Sequence, residues 1–363
     1  MAGAGILIAG SEDVLPIAEA LGSAMSTFWF DNVFIKHSGR TEVTSSRLHL
    51  PQMDGGWFLT DGGIETVLIY QDGFELPEFA AFVLLETANG RDSLRRYYRR
   101  YLDIAVGAPG AGFVLESPTW RAGIDWGAKL GFDVKAMQRI NADAVALMKE
   151  LRTEYASRMA GPIVVSGCIG PRGDGYVAGA RMDPEDARGA HQRQADALAV
   201  AGVDQITAIT MTSGAEAMGV ARAAARAGRA SVISFTVETD GNLPSGESLG
   251  ASIQAVDADA AASGHDAPAY YMINCAHPTH FESTVSQAGT WRERIQGLRA
   301  NASTLSHDQL DAMTQLDSGN PHDLAERYRR LRAPLSRLNV LGGCCGTDHR
   351  HIAAMCEAWS VSK

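Results

Sequence analysis

Three cysteines in the C-terminal third of the chain have the residue type and the local sequence expected of metal ligands. Cys344 and Cys345 are adjacent within the glycine-rich stretch GGCCG, and Cys275 lies upstream in the stretch INCAHP. Zinc prefers thiolate sulfur in a tetrahedral arrangement, and a catalytic zinc keeps three protein ligands and one exchangeable position. Glycine around the cysteine pair permits the sharp turn that two consecutive side chains need to face one ion. These residues therefore predict a zinc site with one open position.

The sequence leaves other interpretations of these cysteines open. The segment Cys275-x-His277-x-x-His280 offers a second ligand set, although a proline within it indicates a loop. Buried cysteine is also often inert and serves only in packing. Of the remaining cysteines, Cys168 is expected near the site and Cys356 is expected to pack on a helix.

The elements that must position these side chains are visible as short apolar runs separated by helical patterns. The runs predict strands at residues 57–60, 112–115, 163–166, 204–210, 231–236, 269–273, 294–298 and 338–341. Strands that alternate with helices in this way predict a parallel α/β fold. A closed (β/α)8 TIM barrel takes about 250 residues or more, which the chain supplies, and a doubly wound open sheet is the competing architecture.

Local signals place helices between these strands. The pair Asp183-Pro184 predicts a helix start, with aspartate as the N-cap and proline at the first helical position. Ser213 and Glu216 have the spacing of a capping box, in which each side chain bonds the backbone of the other residue. Apolar residues at helical spacing predict further helices at 94–106, 134–159, 251–263 and 324–331, and a final helix near residue 347.

In a (β/α)8 barrel the catalytic residues lie at the carboxyl ends of the strands. Asp61 follows the first predicted strand and Glu116 follows the second, so a barrel would bring both carboxylates to the cysteines. Further polar residues at predicted strand ends are Cys168, Thr210, Thr236 and Asn301. All of these side chains are expected to converge on one mouth.

The beginning of the chain differs from the remainder. The stretch 22–52 is rich in serine, threonine and aromatic residues and has no sustained period. We therefore expect residues 1–52 to form an N-terminal extension, partly ordered at best, and residues 53–363 to form the barrel.

Composition excludes several classes of protein and partner. The 363 residues are 45% hydrophobic and 20% charged with a net charge of −10, which argues against wholesale disorder and against nucleic acid or an anionic membrane as partners. No apolar run reaches the roughly 18 residues that span a bilayer, and the N-terminus lacks the basic residues of a signal peptide. Five cysteines, an odd number at low density, indicate a reducing compartment, so we expect a cytoplasmic protein. The sequence carries no signal for a particular oligomeric state.

Five sequence motifs occur together in one order along the chain. The strings LTDGGIET, SGCIGPRGD, SFTVETDGNLPSGESL, INCAHP and LGGCCGT resemble the zinc-dependent homocysteine S-methyltransferase family. The resemblance implies a (β/α)8 barrel, zinc as the cofactor, and Cys275, Cys344 and Cys345 as its ligands. It also implies that Asp61 and Asn274 lie at the substrate.

The same resemblance implies a reaction. A methyl group would pass from a sulfonium or ammonium donor to the thiolate of homocysteine or a related thiol, which makes methionine when the acceptor is homocysteine. Zinc would keep the acceptor as a thiolate at neutral pH, and the donor would leave as a neutral molecule. The expected partners are therefore a small-molecule thiol acceptor and a methyl donor.

Two positions depart from the pattern of the family. Many members carry Glu-Thr at the end of the fourth strand, where the glutamate binds the amino group of homocysteine, but this chain has Ile209-Thr210. At the end of the second strand the chain has Glu116-Ser-Pro-Thr-Trp, where members often have Thr-Asn-Thr-Tyr. Glu116 is one source of the missing carboxylate. The alternatives are a pocket for another thiol or for a differently methylated donor.

Two further functions agree with the same residues. A zinc-dependent demethylase or hydrolase on this barrel, acting on a different thiol or thioether, would explain the isoleucine at position 209. A zinc ion that serves only structure or storage would need a fourth protein ligand, for which His277 and His280 are the candidates.

Overall fold

Eight parallel strands close into a barrel in which each strand pairs with the next along the chain and the last pairs with the first. The structure is a computed structural model, and it describes residues 49–179 and 182–360. The strands are β1 (Phe58–Leu59), β2 (Gly112–Glu116), β3 (Ile163–Ile169), β4 (Gln205–Met211), β5 (Ala230–Phe235), β6 (Tyr270–Asn274), β7 (Ile295–Ala300) and β8 (Val340–Gly343). The closed barrel confirms the predicted (β/α)8 fold and excludes the open sheet.

Helices alternate with the strands. They are α1 (Ile64–Thr66), α2 (Ala88–Val106), α3 (Ile124–Lys129), α4 (Val134–Tyr155), α5 (Pro184–Ala201), α6 (Gly214–Arg226), α7 (Leu249–Ser263), α8 (Pro278–Ser286), α9 (His307–Asp311), α10 (Pro321–Leu331) and α11 (His349–Ser360). In α6 the buried residues include Ala217, Val220, Ala221 and Ala224, whose spacing puts them on one face toward β4 and β5. No described helix is both long and apolar enough to cross a membrane.

Each predicted strand is present, with ends that differ by at most three residues from the prediction. The largest difference is in β3, which continues to Ile169 because Cys168 and Ile169 still pair with Thr207 and Ala208 of β4. Cys168 is therefore part of a strand and does not follow it.

The helix signals are confirmed in one case and corrected in two. Asp183 accepts a hydrogen bond from the Glu185 amide at 2.8 Å, and α5 begins at proline as predicted. The predicted capping box at α6 is only half formed. The Ser213 hydroxyl accepts from the Glu216 amide, but the buried Glu216 carboxylate accepts instead from the Arg172 amide at 2.7 Å. The segment around Pro278 is not a loop, because α8 begins there with His277 as its N-cap.

The first described residues pack at the amino ends of the strands. Leu50 is buried in a cluster with Phe58 and Val340, and the Gln52 amide donates to Gln205 Oε1 at 2.6 Å and to the Tyr270 hydroxyl at 3.2 Å. Leu50 and Gln52 belong to the predicted extension, but both are buried at the barrel. Residues 1–48 of the predicted extension lie outside the described residues.

Candidate active site

A cavity of about 620 Å³ opens at the carboxyl ends of the strands. The side chains from predicted strand ends that line it are Asp61, Glu116, Cys168, Thr210, Cys275, Cys344 and Cys345. Thr236, Asn274 and Asn301 also lie at predicted strand ends and are buried, but they do not line the cavity. The barrel thus brings together both predicted carboxylates and all three predicted metal ligands.

The three predicted ligands form a compact cluster of thiols. Their sulfur atoms lie within 4.8 Å of one another, and the Sγ atoms of Cys275 and Cys345 are 4.0 Å apart. Zinc–sulfur bonds of about 2.3 Å in a tetrahedron place two sulfur ligands about 3.8 Å apart, so the spacing suits one zinc ion. Among the residues that the structure describes, no other group of histidine, cysteine and carboxylate side chains converges in this way.

Neighbouring groups polarise this cluster. The pKa of the Cys344 thiol is lowered because the thiols of Cys275 and Cys345 donate hydrogen bonds to it, and the positive charge of Arg299 adds to the effect. A lowered pKa favours the thiolate, which is the form that binds a metal. The Tyr176 hydroxyl lies 3.0 Å from Cys345 Sγ, at the side of the cluster that faces the cavity.

The backbone at the cluster is held in a costly conformation. The φ angle is 67° at Thr210 and 52° at Cys275, in the left-handed region that non-glycine residues rarely adopt. Such conformations cost on the order of 1–3 kcal/mol and persist where the surroundings hold them. The carbonyl oxygen of Cys275 accepts from Asn301 Nδ2 at 3.0 Å and from His307 Nε2 at 2.6 Å. These bonds fix the direction in which the Cys275 side chain leaves the chain.

The turn after β1 packs directly on the turn that carries the cysteine pair. A Cβ atom at Gly63 would overlap the carbonyl oxygen of Cys344, so only glycine allows this approach. The Gly346 amide donates to Thr66 Oγ1 at 3.0 Å, and Gly346 itself has a φ of 79°. The glycine-rich sequence around the cysteines therefore serves both the turn and its contact with α1.

The alternative ligand set is not assembled. His277 Nδ1 lies 2.8 Å from Thr279 Oγ1, and His280 Nε2 donates to the Thr304 carbonyl oxygen at 2.9 Å. Neither histidine lines the cavity or belongs to the thiol cluster. Neither of these candidate ligands is therefore placed to complete a structural tetrahedron with the three thiols.

Asn274 holds the backbone beside the cluster and does not face the cavity. Its Oδ1 accepts from the Thr210 amide at 3.0 Å and from Ser234 Oγ at 2.6 Å, and its Nδ2 donates to Thr210 Oγ1 at 2.8 Å. Thr210 and Cys275 are the two residues at the cluster with a left-handed φ, and Cys275 follows Asn274 directly. These hydrogen bonds hold the backbone that carries Cys275, and contact of Asn274 with a substrate stays a prediction.

Replacing Asn274 with alanine is expected to lower the free energy of unfolding by about 2 kcal/mol, because buried partners lose their hydrogen bonds. We also expect zinc affinity to fall about 10- to 100-fold, the usual cost of losing a residue that orients a ligand. Asn339→Ala is the matched control, since that amide donates to two backbone carbonyls at the opposite end of the barrel. Chemical unfolding and a competitive chelator titration would measure both quantities. Equal zinc affinity in the two variants would contradict the positioning role.

Asp61 and Glu116 share a buried arginine that sequence reasoning missed. Arg299 Nη2 donates to Asp61 Oδ1 at 2.7 Å, and its Nη1 lies 3.9 Å from Glu116 Oε2. The Tyr97 hydroxyl donates to Asp61 Oδ2 at 2.8 Å. Burial raises the pKa of both carboxyl groups, and the guanidinium opposes that rise. The signal that could have identified Arg299 is its place directly after the predicted seventh strand, where a charged side chain reaches the mouth of a barrel.

Glu116 lines the cavity, and its carboxylate is not fully hydrogen-bonded. Its Oε2 atom is buried and has no hydrogen-bond partner among the described residues, while Asp61 has both oxygens engaged. Ile209 also lines the cavity, so the departure from the family pattern lies at the site itself. The carboxylate at the end of β2 is therefore in a position to face a ligand beside this isoleucine.

Two more charged residues line the cavity and were not among the predicted site residues. Glu65 lies on α1, and burial raises its pKa to about 7, with a further contribution from Cys344 and an opposing one from Arg121. Arg121 is only 5% exposed and is stacked between two indole rings, 3.9 Å from that of Trp120 and 3.8 Å from that of Trp126. Glu65 stands inside the motif LTDGGIET and Arg121 directly follows Trp120, but their joint approach to one cavity depends on the barrel.

Comparison with known proteins identifies the family. The model of the family described as homocysteine S-methyltransferase matches residues 58–359. The fold resembles the homocysteine methyltransferase MmuM from Escherichia coli in its oxidized form, with a TM-score of 0.64 and 21% identity over 82% of this chain and 94% of that one. The metallated form of MmuM gives a TM-score of 0.63 and 19% identity over 84% and 97% of the two chains. No curated sequence matches the chain.

The fold and the family match together define a class of enzyme, a methyltransferase built on a (β/α)8 barrel. The chain belongs to the homocysteine S-methyltransferase family, and the matched residues include all eight strands. The resemblance carried by the five motifs is thereby confirmed. Membership supports methylation of homocysteine as the type of reaction.

Proposed function

We propose that this protein is a zinc-dependent S-methyltransferase that moves a methyl group from a sulfonium or ammonium donor to the thiolate of homocysteine. The observation that carries the proposal is the cluster of Cys275, Cys344 and Cys345, with spacing that suits zinc and a side open to the cavity. Three thiolates leave one position of a tetrahedral ion for a substrate, as in a catalytic site.

Cys275, Cys344 and Cys345 would hold the zinc ion. When bound there, zinc supplies the positive charge that lowers the pKa of an incoming thiol, so that the thiol loses its proton at neutral pH. The remaining work falls to the chain itself, which must hold the acceptor sulfur and the donor methyl carbon in line and keep water away. The cavity walls serve this purpose because most side chains around the cluster are buried.

The transfer step needs no other reactant. The acceptor sulfur forms a bond to the methyl carbon, and the bond from that carbon to the donor sulfur or nitrogen breaks. The electron pair of the broken bond goes to the donor, which leaves neutral, and the thiol proton has already passed to solvent. Fixed negative charges would bind the cationic donor and help to place its methyl carbon in line with the acceptor sulfur.

The lining of the cavity supports a positively charged donor. Carboxylates of Glu65, Glu116 and Asp174 line it, and so do the aromatic rings of Tyr70 and Trp120. Sulfonium and quaternary ammonium groups are attracted both to carboxylates and to the faces of aromatic rings. In this proposal Asp61 and Glu116 face the substrates, whereas Asn274 acts by positioning Cys275.

The free state of the cysteines bears on where the protein works. All five cysteines lie in the described residues and none forms a disulfide. Free thiols that are to bind a metal require a reducing compartment, so we propose that the protein acts in the cytoplasm on small-molecule substrates.

The proposal predicts methionine formation by the purified, reduced, zinc-loaded protein. Homocysteine would be incubated with S-methylmethionine, betaine or S-adenosylmethionine, and the product followed by mass. We expect methionine with at least one donor, and Cys356→Ser should behave as wild type because Cys356 lies on α11, away from the thiol cluster. Absence of methionine with all three donors, from protein shown to contain zinc, would overturn the proposal.

Ile209 favours one second candidate. Its apolar side chain lines the cavity where a glutamate would bind an ammonium group. A zinc-dependent demethylase or hydrolase acting on a different thiol or thioether would have no use for that glutamate. The screen described above separates the two functions, because strong methionine formation excludes this candidate as the main activity.

A further inference from the structure

Arg121 is a buried cation to which no carboxylate of the described residues is bonded. Its Nη1 donates to the Gly173 carbonyl oxygen at 2.9 Å, and its Nε is buried with no hydrogen-bond partner among the described residues. The negative charges of Asp174 and Glu65 act on the guanidinium, but neither residue forms an ion pair with it in the described part of the chain. Arg299, the other buried arginine of the cavity, is by contrast paired with Asp61.

An arrangement of this kind is costly unless a ligand completes it. Removing a charge from water costs several kcal/mol when no opposite charge and no hydrogen bonds replace the water. The indole rings of Trp120 and Trp126 sandwich the guanidinium and hold its plane in place. A planar guanidinium held in this way is prepared to bind a carboxylate through two parallel hydrogen bonds. Arg121 therefore points to a ligand that carries a carboxylate.

Glu65 presents the opposite charge to the same cavity. It forms no hydrogen bond or ion pair with another side chain in the described residues, yet its charge is felt both by Arg121 and by Cys344. An α-amino acid carries an ammonium and a carboxylate on one carbon atom. A separated carboxylate and guanidinium, both unpaired and both lining one cavity, are complementary to such a head group.

We propose that Arg121 and Glu65 bind the amino-acid end of a substrate, with the carboxylate of the substrate at Arg121 and its ammonium at Glu65. This inference rests on the proposed function, because homocysteine is itself an α-amino acid. It also explains how the cavity tolerates Ile209. The ammonium group is bound from α1, after the first strand, in place of a glutamate after the fourth.

Calorimetric titration of the zinc-loaded protein tests this assignment without turnover. The ligands are homocysteine, its analogue without the carboxylate (homocysteamine) and its analogue without the amino group (γ-mercaptobutyrate). Arg121→Gln should weaken the binding of homocysteine and of γ-mercaptobutyrate about 100-fold, because a desolvated charge pair contributes that much to affinity. The binding of homocysteamine should not change. Glu65→Gln should weaken the binding of homocysteine and of homocysteamine and leave the binding of γ-mercaptobutyrate unchanged.

Arg172→Gln is the matched control. Arg172 is an arginine on the neighbouring loop whose side chain pairs with the exposed Asp125 and does not line the cavity. It should leave all three dissociation constants unchanged. Should Arg121→Gln disturb the stack of tryptophans and fail to fold, Arg121→Lys keeps the charge but loses the planar fork. That variant should weaken γ-mercaptobutyrate more than homocysteamine.

The same titrations with S-methylmethionine distinguish two sources of the head group. Weaker binding of the acceptor in Arg121→Gln assigns the site to homocysteine, and weaker binding of the donor alone assigns it to a donor amino acid. Unchanged binding of every carboxylate ligand, or equal weakening of homocysteine and homocysteamine, would overturn the inference. Selective binding by a wild type that makes no methionine would leave this inference standing and overturn the proposed function. Methionine formation by the wild type, together with unchanged ligand binding by Arg121→Gln, would support the proposed function and overturn this inference.

Discussion

Replacing Cys344 with serine is expected to abolish zinc binding and to reduce methyl transfer by at least about 1,000-fold. Serine is a poor zinc ligand at neutral pH because its hydroxyl keeps its proton, so the cluster is left with two thiols. Zinc that activates a nucleophile lowers the activation barrier by several kcal/mol, and each 1.36 kcal/mol is a tenfold change in rate.

Metal analysis of the purified, reduced protein is the direct measurement. Wild type should hold about one zinc per chain, as a site with three thiolates and one open position requires. Cys356→Ser is the matched control, since it makes the same atomic change on α11, outside the cluster. Full zinc content in Cys344→Ser, or none in reduced wild type, would refute the assignment of the ligands.

Replacing Arg299 with glutamine is expected to lower the free energy of unfolding by about 3–5 kcal/mol. The change removes the positive charge that lies 2.7 Å from Asp61 and 3.9 Å from Glu116, and it leaves both carboxylates buried. Breaking a buried ion pair costs more than the pair contributes, because an uncompensated charge remains in a medium of low dielectric. Methyl transfer should fall as well, since Asp61 loses the contact that orients it.

Arg95→Gln provides the comparison for this stability effect. Arg95 also forms ion pairs with two carboxylates, those of Glu150 and Asp92, but these carboxylates are on the surface. Its loss should cost no more than about 1 kcal/mol, because solvent screens exposed pairs. Urea unfolding of the two variants at one pH gives the difference. Equal losses would mean that the burial of the Asp61–Arg299–Glu116 group contributes nothing.

Local sequence patterns predict the strands of this protein well, but they predict the pairing of its buried charges poorly. The apolar runs locate every strand, because a strand buried on both faces must be apolar wherever it sits in the barrel. Asp61 and Glu116 are found for the same reason, as polar residues where an apolar run stops. Arg299 is missed because its partner Asp61 is 238 residues away, and only the register of the closed barrel brings the two side chains into contact.

The errors have a common physical origin. Glu216 matches the spacing of a capping box, yet a buried carboxylate takes the stronger partners that tertiary structure offers, here the Arg172 amide and His191. Glu65 and Arg121 are visible in the sequence as single charges, and their shared cavity is not.

The seam between the first and last strands sets a time order for assembly of the enzyme. The cysteine pair follows β8, and its turn is complete only when it rests on Gly63 and Thr66 beyond β1. During synthesis, a nascent chain that has emerged as far as Cys275 holds one thiol of the three and has no closed barrel. In the proposed enzyme, the ion can therefore be loaded only after β8 has been made and joined to β1. Loss of the ion from a mature molecule would conversely report the opening of that seam before the rest of the barrel unfolds.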